Sequence, residues 1–292
     1  MSNRHFERVE RSLVVVVLLA LLAGCGDDGG TPTAGHPGTS HHGTGHQHRH
    51  PTSSPGPSYS DWDVGAQPLP LRPDGYGEIR PTPEALRVRR LPTTDVLPPP
   101  ADGRFHATIG PITPAIRDRM GKTWSPACPV ALADLSYLTL TFRGFDGAAH
   151  TGELVVAASE AQGVVSVFRT LFAAGFPIEE MRLPTTADVE ATPTGDGNNT
   201  SGLVCRATTG ATSWSAHAYG LAIDLDPFDN PYHRGDLVLP ELASAYLDRG
   251  WIRPGMVEPG SVAVRAFARI GWSWGGDWSS LKDYQHFSAT GR

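Results

Sequence analysis

The chain has few cysteines and no excess of basic residues. Its 292 residues include three Cys, and 24 Lys plus Arg against 30 Asp plus Glu give a formal net charge of -6. A charge of this sign offers no basic patch, so nucleic acid is not expected as a partner. The three cysteines are widely separated and form no C-x-x-C pair, which argues against a thiolate metal site.

Long apolar runs are also scarce, and the most prominent one lies near the N-terminus. Leu13–Leu22 follows three arginines and is too short to span a bilayer, but it suits the apolar region of a signal peptide. The next residues resemble the lipobox of bacterial lipoproteins, which predicts a signal peptide over 1–24 and a lipid on Cys25. We therefore expect an extracytoplasmic protein, lipid-anchored to the cell membrane. The alternative is an ordinary signal peptide with an incidental cysteine.

Large apolar residues are few between residue 25 and residue 102. Gly, Pro, Ser, Thr and His dominate this segment, and such a composition buries too little surface to offset the entropy of ordering. We predict a disordered tether over 25–102. One hypothesis is that its histidines gather zinc loosely, and solvated low-complexity sequence is the alternative. The histidines concerned are His36, His41, His42, His46, His48 and His50.

The remaining residues, 103–292, have the length of one domain. Alternating apolar residues predict strands over 135–142 and 152–158, and helical signals predict a helix that starts near 159 and helices over 240–249 and 261–270. Strands and helices are mixed without a regular alternation, so we predict an α+β fold in which a small antiparallel sheet with flanking helices carries the functional site.

Two short motifs near the C-terminus supply metal ligands. Ser-Ala-His-Ala-Tyr-Gly-Leu-Ala-Ile-Asp contains His217 and Asp224, and Asp-Tyr-Gln-His-Phe contains Asp283 and His286. Catalytic zinc sites use three protein ligands and leave a fourth position open, and a nearby carboxylate serves as the base. We interpret His217, Asp224 and His286 as ligands of Zn²⁺ and Asp283 as the general base. A structural or surface role for each single histidine is the alternative.

The two motifs resemble those of the VanY-like zinc D-alanyl-D-alanine carboxypeptidases and L-alanyl-D-glutamate peptidases, which have the Hedgehog-type metallopeptidase fold. The resemblance spans roughly residues 104 to 290. It implies the same three metal ligands, Asp283 as general acid/base and Arg206 as the substrate-polarising arginine. Asp226 departs from the pattern, since Asn is expected there more often, and we interpret it as a turn residue. A surface role for Arg206 is the alternative. Further matching segments are Cys128–Leu135, Phe145–Gly147, Gly152–Val156, Phe176–Ile178, Asn198–Ser201, Asn230–Tyr232 and Gly271–Trp278.

If Cys25 carries a lipid, Cys128 and Cys205 remain as a pair in an oxidising compartment. We predict a disulfide between them, with two unpaired buried thiols as the alternative. A disulfide at Cys205 would hold its neighbour Arg206 in place.

The resemblance implies a zinc metallopeptidase that hydrolyses peptidoglycan stem peptides, with D,D-carboxypeptidase activity preferred over cleavage of the L-Ala-D-Glu bond. A non-catalytic, zinc-containing wall-binding module is a further alternative, although the presence of Asp283 speaks against it. Ser279-Ser-Leu-Lys282 also matches the S-x-x-K motif of penicillin-binding proteins, but Lys-Thr-Gly and Ser-Asp-Asn are missing. We expect the protein to act as a monomer.

Overall fold

The structure is a computed structural model that describes residues 58–209 and 211–291. The predicted signal peptide, Cys25 and the histidine-rich part of the predicted tether lie outside these residues. Within the described ranges, no helix has the length and apolar character needed to cross a membrane.

Short strands and helices alternate irregularly along the described chain, as expected for an α+β fold. The strands are β1 (Ala107–Pro111), β2 (Leu135–Arg143), β3 (Ala149–Ala157), β4 (Ala222–Asp224), β5 (Tyr232–Arg234), β6 (Leu237–Leu239), β7 (Ser273–Trp274), β8 (Lys282–Asp283) and β9 (His286–Ser288). The α-helices are α1 (Pro114–Met120), α2 (Ala161–Ala173), α3 (Thr186–Glu190) and α4 (Val262–Arg269). The predicted fold class is confirmed.

The strands form three antiparallel sheets of three strands each, in the orders β1-β2-β3, β4-β9-β7 and β6-β5-β8. We call the β4-β9-β7 sheet the site sheet. Helix α2 packs on the first sheet and against α4, and the largest apolar cluster includes both helices. The same cluster contains Ile223 of β4 and Phe287 of β9, both fully buried. The site sheet therefore rests directly on the main core.

The predicted strands over 135–142 and 152–158 and the helices that start near 159 and 261 are present as β2, β3, α2 and α4. Helix α4 begins directly after Ser261, whose side chain caps the helix by accepting a hydrogen bond from Val264 N. The predicted helix over 240–249 is wrong. This segment contains turns and one 3-10 helix, Ser244–Leu247.

Residues 58–102 differ from the expectation of a disordered tether that extends to residue 102. Leu69, Leu86 and Leu91 are buried in a second apolar cluster that includes Phe228 and Tyr246. Proline and charged residues dominate the composition of the segment, but its widely spaced leucines insert into a surface that later parts of the chain provide. We call Ser58–Asp102 the N-terminal segment. The folded unit includes it, so the structured region begins before residue 103.

Candidate metal centre

His217 lies in the 3-10 helix Ala216–Tyr219, whose conformation is set at both ends. At the start, the Ser215 side chain accepts a hydrogen bond from His217 N at 3.3 Å. At the end, Gly220 has a φ of 69°, and a Cβ there would lie 2.5 Å from Ala157 N. Only glycine fits this left-handed and crowded position. The glycine three residues after His217 therefore allows the chain to turn directly into β4.

Asp224 and His286 face each other across the site sheet. They are register partners in the antiparallel pair β4–β9, next to the pair Ile223 and Phe287. Since successive side chains in a strand point to opposite faces, the apolar pair enters the core and the polar pair occupies the other face. Phe287 also stacks on Phe267 of α4 with ring centroids 4.0 Å apart. Core packing thus fixes the register that brings the carboxylate to the imidazole.

The three predicted ligands converge on one point. His217 Nε2 lies 3.2 Å from His286 Nδ1 and 3.2 Å from Asp224 Oδ2, and His286 Nδ1 lies 3.1 Å from Asp224 Oδ1. In a tetrahedral zinc site with bonds of about 2.0–2.1 Å, neighbouring ligand atoms are roughly 3.3 Å apart. The two imidazole nitrogens have about this spacing from each other, and each has it from one oxygen of the Asp224 carboxylate, so the residues fit a zinc ion.

The protonation of His217 is set by a backbone carbonyl. His217 Nδ1 lies 2.7 Å from Gly202 O, which can only accept, so Nδ1 carries a proton and Nε2 is the ring nitrogen that a metal ion can bind. Burial alone would raise the pKa of Asp224, but His217 and His286 together hold it well below its usual range. Asp224 is therefore ionised, as a metal ligand must be.

Asp283 lies beside the three ligands and outside their cluster. It ends β8 and pairs with Tyr232 of β5, and its side chain lines the same cleft as Asp224. Its Oδ1 is buried and has no hydrogen-bond partner among the described residues. Burial and the charge of Asp224 raise the pKa of Asp283 to about 7, against opposing effects of His286 and Arg206. A carboxyl group with this pKa suits a general acid/base near neutral pH.

Arg206 lies on the wall of the same cleft, next to a disulfide. Cys128 and Cys205 are bonded, with Cα atoms 5.8 Å apart and 77 residues between them in sequence, so the predicted disulfide is confirmed. The Arg206 side chain is exposed and donates to Ala207 O. Its guanidinium lies where a substrate in the cleft can reach it.

The cleft lined by Asp224, Asp283 and Arg206 is large and open, with a volume of about 1390 Å³. One side is lined by the loop after the disulfide, which includes Arg206 and Thr208, and another by the N-terminal segment through Trp62, Tyr76 and Leu91. Pockets for single small ligands usually have volumes of roughly 300–1,000 Å³. The cleft therefore has room for an extended chain.

Asp226 is more than a turn residue. It is fully buried with a φ of 41°, its Oδ1 accepts a hydrogen bond from Glu179 N at 3.1 Å, and its own backbone N–H donates to Thr200 Oγ1. Burial and the neighbouring charge of Asp229 raise its pKa. Asp226 thus holds the chain where it leaves β4. It is absent from the group of three ligand atoms at the centre.

The sequence interpretation missed the groups that support the ligands. Ser201 and Asp224 exchange two backbone hydrogen bonds of 3.1 and 3.0 Å, and Gly202 O accepts from His217. Backbone atoms leave no side-chain pattern, although Asn198–Ser201 was among the segments that carry the resemblance. In the S-x-x-K motif, Lys282 Nζ donates to Gly276 O, and Ser279 is exposed.

Two imidazoles and one carboxylate around a single point define a candidate metal centre with three protein ligands, the number that hydrolytic zinc sites use. Residues 209–289 match the M15 peptidase family model described as D-alanyl-D-alanine carboxypeptidase. The match includes all three ligands and Asp283, and it supports the family resemblance stated from the sequence. No curated protein and no solved structure matches the chain. The match supports a peptidase that acts on peptidoglycan.

Proposed function

We propose that the protein is a zinc-dependent D,D-carboxypeptidase of peptidoglycan stem peptides. The observation that carries the proposal is the convergence of His217 Nε2, His286 Nδ1 and the Asp224 carboxylate, since each imidazole nitrogen lies within 3.2 Å of the other and of one Asp224 oxygen. The family match over 209–289 supports the peptidase class. When bound, zinc would supply a Lewis acid that polarises the scissile carbonyl and acidifies a water molecule.

Asp283 transfers protons in the proposed reaction, and Arg206 stabilises negative charge on the substrate. The Asp283 carboxylate accepts a proton from the attacking water and then delivers that proton to the leaving amine. Its buried, unpartnered Oδ1 and its raised pKa support this role. The Arg206 guanidinium stabilises negative charge on the substrate, either on the developing oxyanion or on the terminal carboxylate.

The preference for a carboxypeptidase rests on Arg206. A permanently charged fork on an exposed wall of the cleft suits the terminal carboxylate that a D-Ala-D-Ala end presents. The open cleft also has room for a chain that continues beyond the scissile bond. Cleavage of the L-Ala-D-Glu bond is therefore the second candidate.

A matched pair of substrates tests the bond type. One is a synthetic stem pentapeptide with a free D-Ala-D-Ala terminus, and the other is identical except for a C-terminal amide. We expect D-Ala release from the free acid and a loss of most activity on the amide. Equal cleavage of both, or fragments from the L-Ala-D-Glu bond, would contradict carboxypeptidase specificity.

Inhibitors separate the zinc mechanism from the alternatives. We expect a chelator to abolish hydrolysis, zinc to restore it, and β-lactams to have no effect, because Ser279 is assigned no nucleophilic role. Inhibition by β-lactams without chelator sensitivity would favour the S-x-x-K alternative. Tight binding of wall fragments without hydrolysis would favour the non-catalytic module.

For location, we propose that cleavage of residues 1–24 and lipidation of Cys25 place the domain on the outer face of the cell membrane. The remaining tether would then give the domain reach toward the wall. A Cys25→Ala variant should move from the membrane fraction to the soluble extracytoplasmic fraction. Retention of this variant on the membrane would contradict the lipid anchor.

A further inference from the structure

Arg89 of the N-terminal segment is a fully buried cation with a two-pronged ion pair. Its Nε donates to Glu179 Oε2 at 2.6 Å and its Nη2 donates to Glu179 Oε1 at 2.7 Å. The guanidinium also lies over the Phe228 ring, 4.5 Å from the centroid. Such a pair is costly to bury and rarely the most stable choice for a core, so a role beyond stability is worth testing.

Glu179, which Arg89 holds in place, also binds a second segment of the chain, the one that begins at Asn198. Its Oε2 also accepts a hydrogen bond from Asn198 Nδ2 at 3.0 Å, and Asn198 Oδ1 accepts from Phe228 N at 2.8 Å. The residues after Asn198 are also bonded to the segment that contains Glu179, since Thr200 N donates to Glu180 O at 2.9 Å. We call Asn198–Gly202 the supporting loop. Its first residue is held partly by the Glu179 carboxylate that Arg89 binds and partly by Asp229, which accepts from Asn198 Nδ2 at 2.9 Å.

The other end of the supporting loop contacts two of the three proposed ligands. Ser201 is bonded through its backbone to Asp224 in both directions, and Gly202 O accepts the Nδ1 proton of His217. A shift of this loop would therefore move the Asp224 backbone and free the His217 ring to change tautomer. Groups that orient metal ligands in this way affect metal affinity by about 10–100-fold when removed.

We propose that Arg89 is a positioning residue of the metal centre, acting through Glu179 and the supporting loop. The inference rests on the proposed zinc function. It makes the N-terminal segment, which precedes the residues that match the family model, a working part of the centre rather than a spacer.

The test measures zinc affinity rather than turnover alone. Full-chain Arg89→Met is compared with wild type and with Arg90→Met, the control at the next position. Zinc dissociation constants are obtained by competition with a chromophoric chelator. We expect zinc binding to weaken by about tenfold or more in Arg89→Met and to stay within about twofold in Arg90→Met, whose side chain takes no part in the network.

A purely structural role predicts a different result. In that case Arg89→Met would lower the melting temperature of the metal-free protein, but folded molecules would bind zinc as wild type does. An unchanged dissociation constant would overturn the proposal. If Arg89→Met does not fold, Arg89→Lys keeps the charge but loses the two-pronged geometry, and the same comparison with wild type applies at a temperature where it is folded.

A second measurement separates this inference from the proposed function. Imidazole ¹⁵N spectra of metal-free protein report the His217 tautomer without zinc. We expect the Nδ1–H form in wild type and in Arg90→Met, and a mixture of tautomers in Arg89→Met or Arg89→Lys. If wild type binds no zinc, the proposed function fails. If the tautomer is unchanged in a folded Arg89 variant, the positioning role fails.

Discussion

At the scale of single residues, the centre depends on a carboxylate and two imidazoles whose donor atoms face one another. When His217 is neutral, its one proton is on Nδ1, bonded to Gly202 O, and its Nε2 has no proton to donate to His286 Nδ1. A cation at the centre gives these lone pairs and the Asp224 charge a common partner. The arrangement is therefore one that a metal ion stabilises.

Removal of one imidazole tests this interpretation. His286→Ala should weaken zinc binding by more than about 100-fold, beyond the loss expected for an outer-shell group, and should abolish peptidase activity. Equilibrium dialysis with metal analysis measures the binding. The matched control is His106→Ala, an exposed histidine outside the cleft. Full zinc loading of His286→Ala would contradict the ligand assignment.

Asp283 is expected to act on protons without holding the metal. Asp283→Asn should therefore lower kcat by about 10²–10⁴-fold, the usual contribution of a general acid/base, while zinc affinity changes little. Steady-state kinetics and chelator competition on the same preparation measure both quantities. An active Asp283→Asn enzyme would contradict the role, and loss of zinc would indicate that Asp283 is itself a ligand.

The sequence predicted the three residues that the structure brings together around one point, but not the groups that support them. His217, Asp224, Asp283 and His286 stand in two short motifs whose residue types are those of metal hydrolases. Arg89 is fixed by Glu179, 90 positions away, and Asn198 is bonded to Glu179, 19 positions away, and to Phe228, 30 positions away. No spacing or periodicity predicts such a pair, because it arises only when the chain is folded.

At the scale of secondary-structure elements, alternation was the most reliable signal. In β4 the sequence Ala-Ile-Asp buries Ile223 and exposes Asp224 to the site, as a period of two requires. The helix predicted over 240–249 does not form, because the N-terminal segment binds backbone groups that helical hydrogen bonds would need. Thr82 Oγ1 accepts from Ala245 N and donates to Leu242 O, which competes with helical hydrogen bonds.

The Asp188 carboxylate at the start of helix α3 stabilises the fold, and this contribution is lost in acid. Thr185 and Asp188 form a reciprocal capping box, and Asp188 also pairs with Arg182. Burial opposes the charge, but the bonds from Arg182 and Thr185 lower the pKa of Asp188 from 3.8 to about 2. A lowered folded-state pKa gives stability that is present above about pH 4 and lost as the pH falls toward 2.

Asp188→Asn should therefore lower the free energy of unfolding by about 1 kcal/mol at pH 7, the usual value of a cap, and by much less near pH 2. Urea unfolding at the two pH values measures the difference. Since Asp188 is partly exposed, the effect should also shrink at high salt. A penalty that is the same at both pH values would contradict the role of its charge.

At the scale of the whole molecule, the disulfide joins two distant parts of the chain beside the cleft. It closes a loop of 77 residues, for which the chain-entropy model gives about 4 kcal/mol of stabilisation. The double substitution Cys128→Ser and Cys205→Ser should lower the free energy of unfolding by roughly that amount and raise KM through a less fixed Arg206. Denaturant unfolding and kinetics measure both. Unchanged KM would mean that Arg206 is positioned without the disulfide.

The boundary of the folded unit was the main difference at this scale. Low apolar content predicted disorder through residue 102, but three leucines and Arg89 anchor the N-terminal segment to the rest of the fold. A chain that begins at residue 103 should therefore lose both stability and zinc affinity, because Glu179 would be buried without its cation. Thermal unfolding of this truncated chain against one that begins at residue 58 checks the prediction.

The most direct test of the account is mass spectrometry of purified muropeptides after incubation with the enzyme. Three samples are compared: zinc-loaded wild type, chelator-treated wild type and zinc-loaded His217→Ala. A zinc-dependent D,D-carboxypeptidase should remove one terminal alanine from pentapeptide stems in the first sample only. Stems that remain intact with zinc-loaded wild type, or the same loss in all three samples, would contradict a peptidase that depends on a metal held by His217, Asp224 and His286.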